Sequence, residues 1–175
     1  MTNATTRQAA VSHGVIGERM CAELDREMVL FLIGMRLNRP WKLWRWLPVA
    51  RTMPRMQAEL AARPELGLLH ARNHGGLRNF LSVQYWRSLE DLLAFAKAPD
   101  LTHLPAWRAF YRRLDSSADV GIWHETYLIG PGRQEAIYVG MPPFGLGRVG
   151  RLEPARGHRA GALTRMRHAV LIHPE

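Results

Sequence analysis

An α+β fold with the element order β-α-β-β-α-β is predicted by three features of the sequence. Residues 80–86, Phe-Leu-Ser-Val-Gln-Tyr-Trp, form an extended run that leads within two residues to a helix start at Ser88. A second run, residues 27–36, sets Val29, Phe31, Ile33 and Met35 against Met28, Leu30, Leu32 and Gly34, so both of its faces are apolar. Around these runs lie stretches in which apolar residues recur every three or four positions.

In chain order, residues 1–25 hold no sustained period and are expected to be a flexible extension. Residues 27–36 read as a central strand, in which Gly34 leaves room for a neighbouring group. Asn38-Arg39-Pro40 starts a helix that carries Trp41, Trp44 and Leu47. Pro48 should interrupt it, and Pro54 should open a second segment with Met53, Met56 and Leu60 on one side. Residues 67–74 read as the second strand, with Gly75-Gly76 supplying the positive φ angles of a hairpin turn. The strand 80–86 follows. Ser88 then caps a helix with Glu90 and Asp91 in its first turn and Leu89, Leu92, Leu93 and Ala96 at helical spacing, ended by Pro99. Trp107, Phe110, Tyr111 and Leu114 mark a second helix over 104–114. Residues 120–129 are the fourth strand, 135–139 a short extra strand and 141–146 an apolar loop. One domain over residues 26–147 therefore has the ferredoxin-like order, and residues 148–175 are expected to be a disordered basic tail.

Composition bounds the function. At 175 residues and 47% hydrophobic content the chain suffices for one core and is short for two domains. Its longest apolar run is 28–34, and residues 1–8 lack the basic-then-apolar order of a leader. A cytoplasmic, soluble protein without a transmembrane segment is expected. Cys21 is the only cysteine, which excludes an internal disulfide and a cysteine-rich metal site. Much of the net charge of +9 is concentrated at the end, where six arginines from residue 146 onward meet two glutamates. No aromatic residue follows Phe144, so this segment lacks the stacking groups of a nucleic-acid surface, and no specific nucleic acid is expected as a partner.

The helices of a ferredoxin-like fold cover one face of its sheet. Strands that are apolar on both faces need a second cover, and a second copy supplies it most economically. A homodimer whose two sheets face each other as a barrel is predicted.

Several stretches resemble a known family: residues 29–38 (VLFLIGMRLN), Gly67-Leu68-Leu69, residues 84–88 (QYWRS), His103 with Ala106-Trp107, Trp123-His124-Glu125-Thr126-Tyr127, and residues 137–143 (IYVGMPP). They are similar to small monooxygenase-like proteins related to a monooxygenase of the fumagillin biosynthetic cluster and, more distantly, to the antibiotic-biosynthesis monooxygenases. The resemblance covers about residues 26–147. It implies a dimeric α+β barrel with a pocket between sheet and helices in each subunit. It also implies either cofactor-free oxidation of phenolic compounds by O₂ or binding and degradation of haem. The haem-degrading pattern does not carry over cleanly, because Phe95 stands near that group's tryptophan position and His103 does not match the spacing of its histidine.

A cofactor-free oxygenase needs a substrate that yields an electron-rich anion, a group to take or hold the proton, and a dry pocket. His103 and Glu125 are the candidate catalytic residues, His being suited by a pKa near neutrality. Ser82, Gln84, Trp86, Trp107, His124 and Tyr127 are the candidate substrate contacts. Ser82 and Gln84 need hydrogen-bond partners on their apolar strand, which a substrate, water or a partner subunit can supply. Alternation puts His124 and Glu125 on opposite faces. A buried Glu125 requires a cation such as Arg36, Arg72 or Arg87. His70 and His74 on a strand are separated by roughly 13 Å, too far to share one ion, and no metal site is predicted. Trp41, Trp44 and Trp46 with Lys42 and Arg45 have the composition of a membrane-interface segment. That segment is short and broken at Pro48, so core and pocket lining is the role expected of it.

The functional expectation is a small monooxygenase acting on an apolar or aromatic metabolite with O₂, without a tightly bound nucleotide. The alternatives are a haem enzyme of the same fold and a non-catalytic dimeric ligand carrier.

Overall fold

The computed structural model describes residues 14–101, 108, 110 and 118–166. In chain order its elements are β1 (Met20–Glu23), β2 (Met28–Leu37), α1 (Leu43–Ala50), α2 (Thr52–Ala62), β3 (Leu68–Gly75), β4 (Asn79–Trp86), α3 (Leu89–Lys97), β5 (Val120–Ile129), β6 (Ile137–Tyr138) and β7 (Arg151–Pro154). Residues 27–129 form one compact unit, and the residues on both sides of it form another.

In the first unit the antiparallel sheet order is β3-β4-β2-β5, the ferredoxin-like arrangement, with β2 central as its two apolar faces require. The helices lie on one side. Val29 and Trp86 form a core there with Met56, Leu60, Leu92, Phe95 and Leu101, while Met35, Leu37 and Val120 form a second cluster with Trp46, Val49, Ala50, Phe80 and Phe110 around it. Along β4, Ser82, Gln84 and Trp86 are buried on the helix side, whereas Leu81, Val83 and Tyr85 on the other face are half-buried. Burying Trp86 in full removes apolar area worth about 2–3 kcal/mol, so this residue anchors the sheet to α3.

Local chemistry explains the boundaries. Ser88 caps α3 by accepting a hydrogen bond from the Asp91 backbone N–H at 3.1 Å, and Glu90 and Asp91 lie in its first turn. The space left by Gly34 is taken by the indole of Trp123; a β-carbon at Gly34 would overlap the ring. The paired helix begins at Leu43, later than Asn38. Its break falls at Arg51 instead of Pro48: Pro48 stays inside α1 with one hydrogen bond missing, and Pro54 lies in the first turn of α2, where its missing N–H is no loss. Neither Gly75 nor Gly76 has a positive φ. Strand β3 runs through Gly75, and the Gly76 N–H closes a longer loop on the Asn79 carbonyl at 2.9 Å, which spares the left-handed pair a two-residue turn needs.

The flanking unit departs from the sequence expectation. Residues 20–23, read as part of a loose extension, and 151–154, read as part of a disordered tail, pair antiparallel as β1 and β7, and β6 pairs on the other edge of β1. The arginines of the basic segment meet acids brought from far away in sequence. Arg156 pairs with Glu18 at 2.5 Å, Arg159 with Glu23 at 2.5 Å, Arg151 with Glu23 at 3.3 Å, and Arg165 with Glu135. Cys21 is fully buried beneath them, and burial, with the Glu23 charge adding to it, raises its thiol pKa.

Among the described residues no helix is long and apolar enough to cross a membrane.

Candidate active site

The sheet register brings chemistry-bearing side chains into cross-strand rows on the helix side. His124 on β5 is paired with Ile33 on β2, which is paired with Ser82 on β4, which is paired with Asn73 on β3. In the next row Thr126, Phe31, Gln84 and Ala71 are aligned in the same way. Partners in register point to the same face, so both rows look toward the helices.

At the β4 end of these rows the polar groups satisfy one another. Trp86 Nε1 donates to Gln84 Oε1 at 3.0 Å, and Gln84 Nε2 donates to Ser82 Oγ at 3.3 Å and lies 3.6 Å from Met53 Sδ. From α2, Gln57 Nε2 donates to Ser82 Oγ at 2.8 Å and to Asn73 Oδ1 at 2.8 Å, and Asn73 Nδ2 returns a bond to Gln57 Oε1 at 2.7 Å. The partners of Ser82 and Gln84 are thus protein groups. Sequence reasoning missed Gln57 and Asn73; the signal for Gln57 was a polar residue one position after the inward Met56 of an amphipathic helix. Buried polar networks of this kind fix a unique arrangement when every member is paired.

At the β5 end the surface is open. His124 and Thr126 are exposed, and the imidazole of His124 stands with its centroid 5.7 Å from that of Phe31, tilted by 42°. Phe31 and Ile33 are half-buried beside it. An imidazole next to an open apolar surface, backed by a rigid polar ladder, has the composition of a small-molecule site. A haem iron bound here would need an axial ligand. Of the described histidines in this unit, His124 is on this side, and His70 and His74 are on the opposite face with Tyr85 and Leu81.

The opposite face holds the remaining predicted residues. Glu125 and Tyr127 are exposed there, and the Tyr127 hydroxyl donates to Glu125 Oε2 at 2.6 Å, which raises the phenol pKa. Glu125 therefore has a neutral partner. Of the cations considered for it, Arg87 pairs with Asp91 at 2.8 Å, and Arg36 bonds the amide oxygens of Asn38 and Asn79. The structure brings Ser82, Gln84, Trp86 and His124 to one face and puts Glu125 and Tyr127 on the other. His103 and Trp107 lie outside the described residues.

Trp41 and Trp44 do not line this space: they are 65% and 69% exposed, and it is Trp46 that packs inward, with Nε1 donating to the Pro40 carbonyl at 2.8 Å.

The family model described as Monooxygenase af470-like matches residues 28–146, from the first residue of β2 into the loop after β6. Monooxygenase af470 of Aspergillus fumigatus is 30% identical over 129 residues, 69% of this chain and 46% of the fungal protein, so the chain spans about half the length of that relative. Among solved structures, an aldoxime dehydratase in complex with butyraldoxime superposes with a TM-score of 0.61 at 18% identity, over 79% of this chain and 42% of the dehydratase, and so shares the fold. SnoaB, a cofactor-independent oxygenase from Streptomyces nogalater, superposes with a TM-score of 0.41 at 14% identity, over 58% of this chain and 91% of SnoaB. With more than half of its length matched by the family model, the chain belongs to the monooxygenase af470-like family.

Proposed function

We propose that this protein is a small oxygenase that oxidises an apolar or aromatic metabolite with O₂, working as a homodimer in which a second copy covers the open sheet face. Besides family membership, the observation that supports this reading is the apolar surface of Phe31 and Ile33 with the exposed imidazole of His124 at its edge. The substrate class is a C–H acid of phenolic or anthrone type, in which a methylene can be deprotonated. His124 takes the proton, and the apolar floor keeps water from competing with O₂ for the carbanion. The methylene then loses both hydrogens and one oxygen atom enters, R₂CH₂ + O₂ → R₂C=O + H₂O. The substrate supplies all four electrons. The Trp86–Gln84–Ser82–Gln57 ladder holds the floor in place and does not itself touch the reacting carbon.

The dimer accounts for the other face, where Leu30, Leu32, Leu81, Val83 and Tyr85 are half-buried and Trp123 and Tyr127 are exposed. The test is oxygen uptake and ¹⁸O incorporation with a panel of anthrones and phenols. His124→Gln is expected to lower kcat by roughly a hundredfold without change in thermal midpoint, and His103→Ala tests whether that residue shares the proton transfer. A fully active His124→Gln variant overturns the assignment. A Soret band in the purified protein replaces the cofactor-free chemistry with haem chemistry.

A further inference from the structure

The outward side of the paired helix is unlike that of a helix facing water. Trp44, Pro48, Arg51 and Arg55 succeed one another at spacings of three and four and are all exposed, as is Trp41 in the turn before α1, while Trp46, Val49, Ala50 and Met56 point into the core. Leu43, 54% exposed, widens the apolar end of this stripe. A water-facing stripe would carry polar residues throughout; this one carries two indoles and a leucine at one end and two guanidinium groups at the other.

The charge around the stripe has one sign. Between Glu27 and Glu59 the sequence has no acidic residue, and it has Arg36, Arg39, Lys42, Arg45, Arg51 and Arg55. Buried Asp119 reaches this cluster, bonded by Arg39 and Lys42 with Arg45 at 3.5 Å. Arg51 and Arg55 are exposed. Exposed tryptophan beside clustered arginine is the side-chain chemistry of the zone between lipid headgroups and acyl chains, where the indole ring sits at the boundary and the guanidinium binds phosphate.

We propose that the turn before α1, α1 itself and the start of α2 form a docking surface for an anionic lipid membrane, on which the protein lies with Trp41, Leu43 and Trp44 at the headgroup boundary and Arg51 and Arg55 on the phosphates. The surface is independent of the oxygenase reading, since it makes no use of His124, Phe31 or Ile33. It would place the enzyme where apolar metabolites concentrate.

The experiment is co-sedimentation of the full chain with phosphatidylcholine vesicles with and without phosphatidylserine. Binding is expected with phosphatidylserine and to weaken as salt rises. The double variant Trp41→Ala/Trp44→Ala keeps every charge and is expected to lose on the order of tenfold in partitioning. Arg51→Glu/Arg55→Glu is expected to remove the phosphatidylserine preference. Far-UV circular dichroism checks that both variants stay folded, as substitutions at exposed positions should. Absence of binding at low salt overturns the proposal. So does a tryptophan variant that binds like the parent, since charge elsewhere would then be responsible, or one that instead loses self-association, since the patch would then be a protein contact.

Discussion

Trp86 Nε1 donates to the amide oxygen of Gln84 at 3.0 Å, joining two residues that share the helix-facing side of β4. Both side chains are almost inaccessible, so neither can exchange this bond for water. Gln84→Leu keeps the volume and removes the acceptor, leaving the indole N–H unpaired. It is expected to destabilise the protein by about 1–3 kcal/mol in chemical denaturation. Gln84→Glu keeps an acceptor for the indole and, when protonated, a donor for Ser82 Oγ, so it should recover part of that loss at acid pH and lose it as pH rises and the buried carboxyl ionises. If Gln84→Leu unfolds like the parent, the ladder is not what orders this face.

Asp119 is held under α1, with its carboxylate 2.8 Å from Arg39 and 2.9 Å from Lys42. Its backbone carbonyl also accepts from the Asn38 and Arg39 N–H groups, which fixes the entry into α1. Asp119→Ala deletes the carboxylate and keeps the backbone bonds. Arg39 and Lys42 are partly exposed and can turn to water, so the loss should stay near 1–3 kcal/mol and below the larger value for a fully buried pair. Hydrogen exchange should locate the effect in residues 38–50.

How far the sequence reveals this structure depends on whether the information is local. Strands β2, β4 and β5 and the Ser88 cap follow from period-two alternation and capping chemistry within a few residues, and the register then separates His124 from Glu125 without further input. Strands β1 and β7 are four residues each and pair across more than a hundred positions, which no local period records. The basic C-terminal segment reads as solvated because its counter-charges, Glu18 and Glu23, lie at the other end of the chain. Likewise Ser82 and Gln84 stand out as polar positions on an apolar strand, but their partner Gln57 comes from a different element. Trp41 and Trp44 read as core because indoles usually are; α1 turns Trp44 outward because Trp46 and Val49 already fill the inward positions, and Trp41 is exposed in the turn before it.

Arg159 and Arg151 hold the Glu23 carboxyl below its ordinary range, the Arg159 hydrogen bond being the largest cause. The unfolded chain therefore binds this proton at a higher pH than the folded chain. Stability from the pair is fully present above the ordinary glutamate value of about 4.3 and is lost as pH falls through the lowered folded value. Amide exchange in β1 and β7 should accelerate over that acid window while β2 and β4 change less. Arg159→Ala should raise the exchange at neutral pH and flatten its pH dependence. A parent protein whose β1 exchange is insensitive to acid would remove Glu23 from the forces holding these strands.

Tyr127 and Glu125 supply the opposite sign. The hydroxyl donates to the carboxylate, and loss of the phenol proton would set two negative charges 2.6 Å apart, so the phenol pKa is raised, first by this hydrogen bond and then by the Glu125 charge. The bond is intact below the ordinary tyrosine range and is lost as pH rises through the raised folded value. In a phenolate absorbance titration, with the Tyr127→Phe variant subtracted to isolate this ring, Glu125→Gln should move the midpoint back down toward the ordinary value. The same variant separates the two faces of the sheet. Glu125 is on the side away from His124, so if oxidation takes place over Phe31 and Ile33, Glu125→Gln should leave kcat within about a factor of three while shifting the Tyr127 titration. A loss of a hundredfold or more would instead put the chemistry on the open face, with Glu125 as its base.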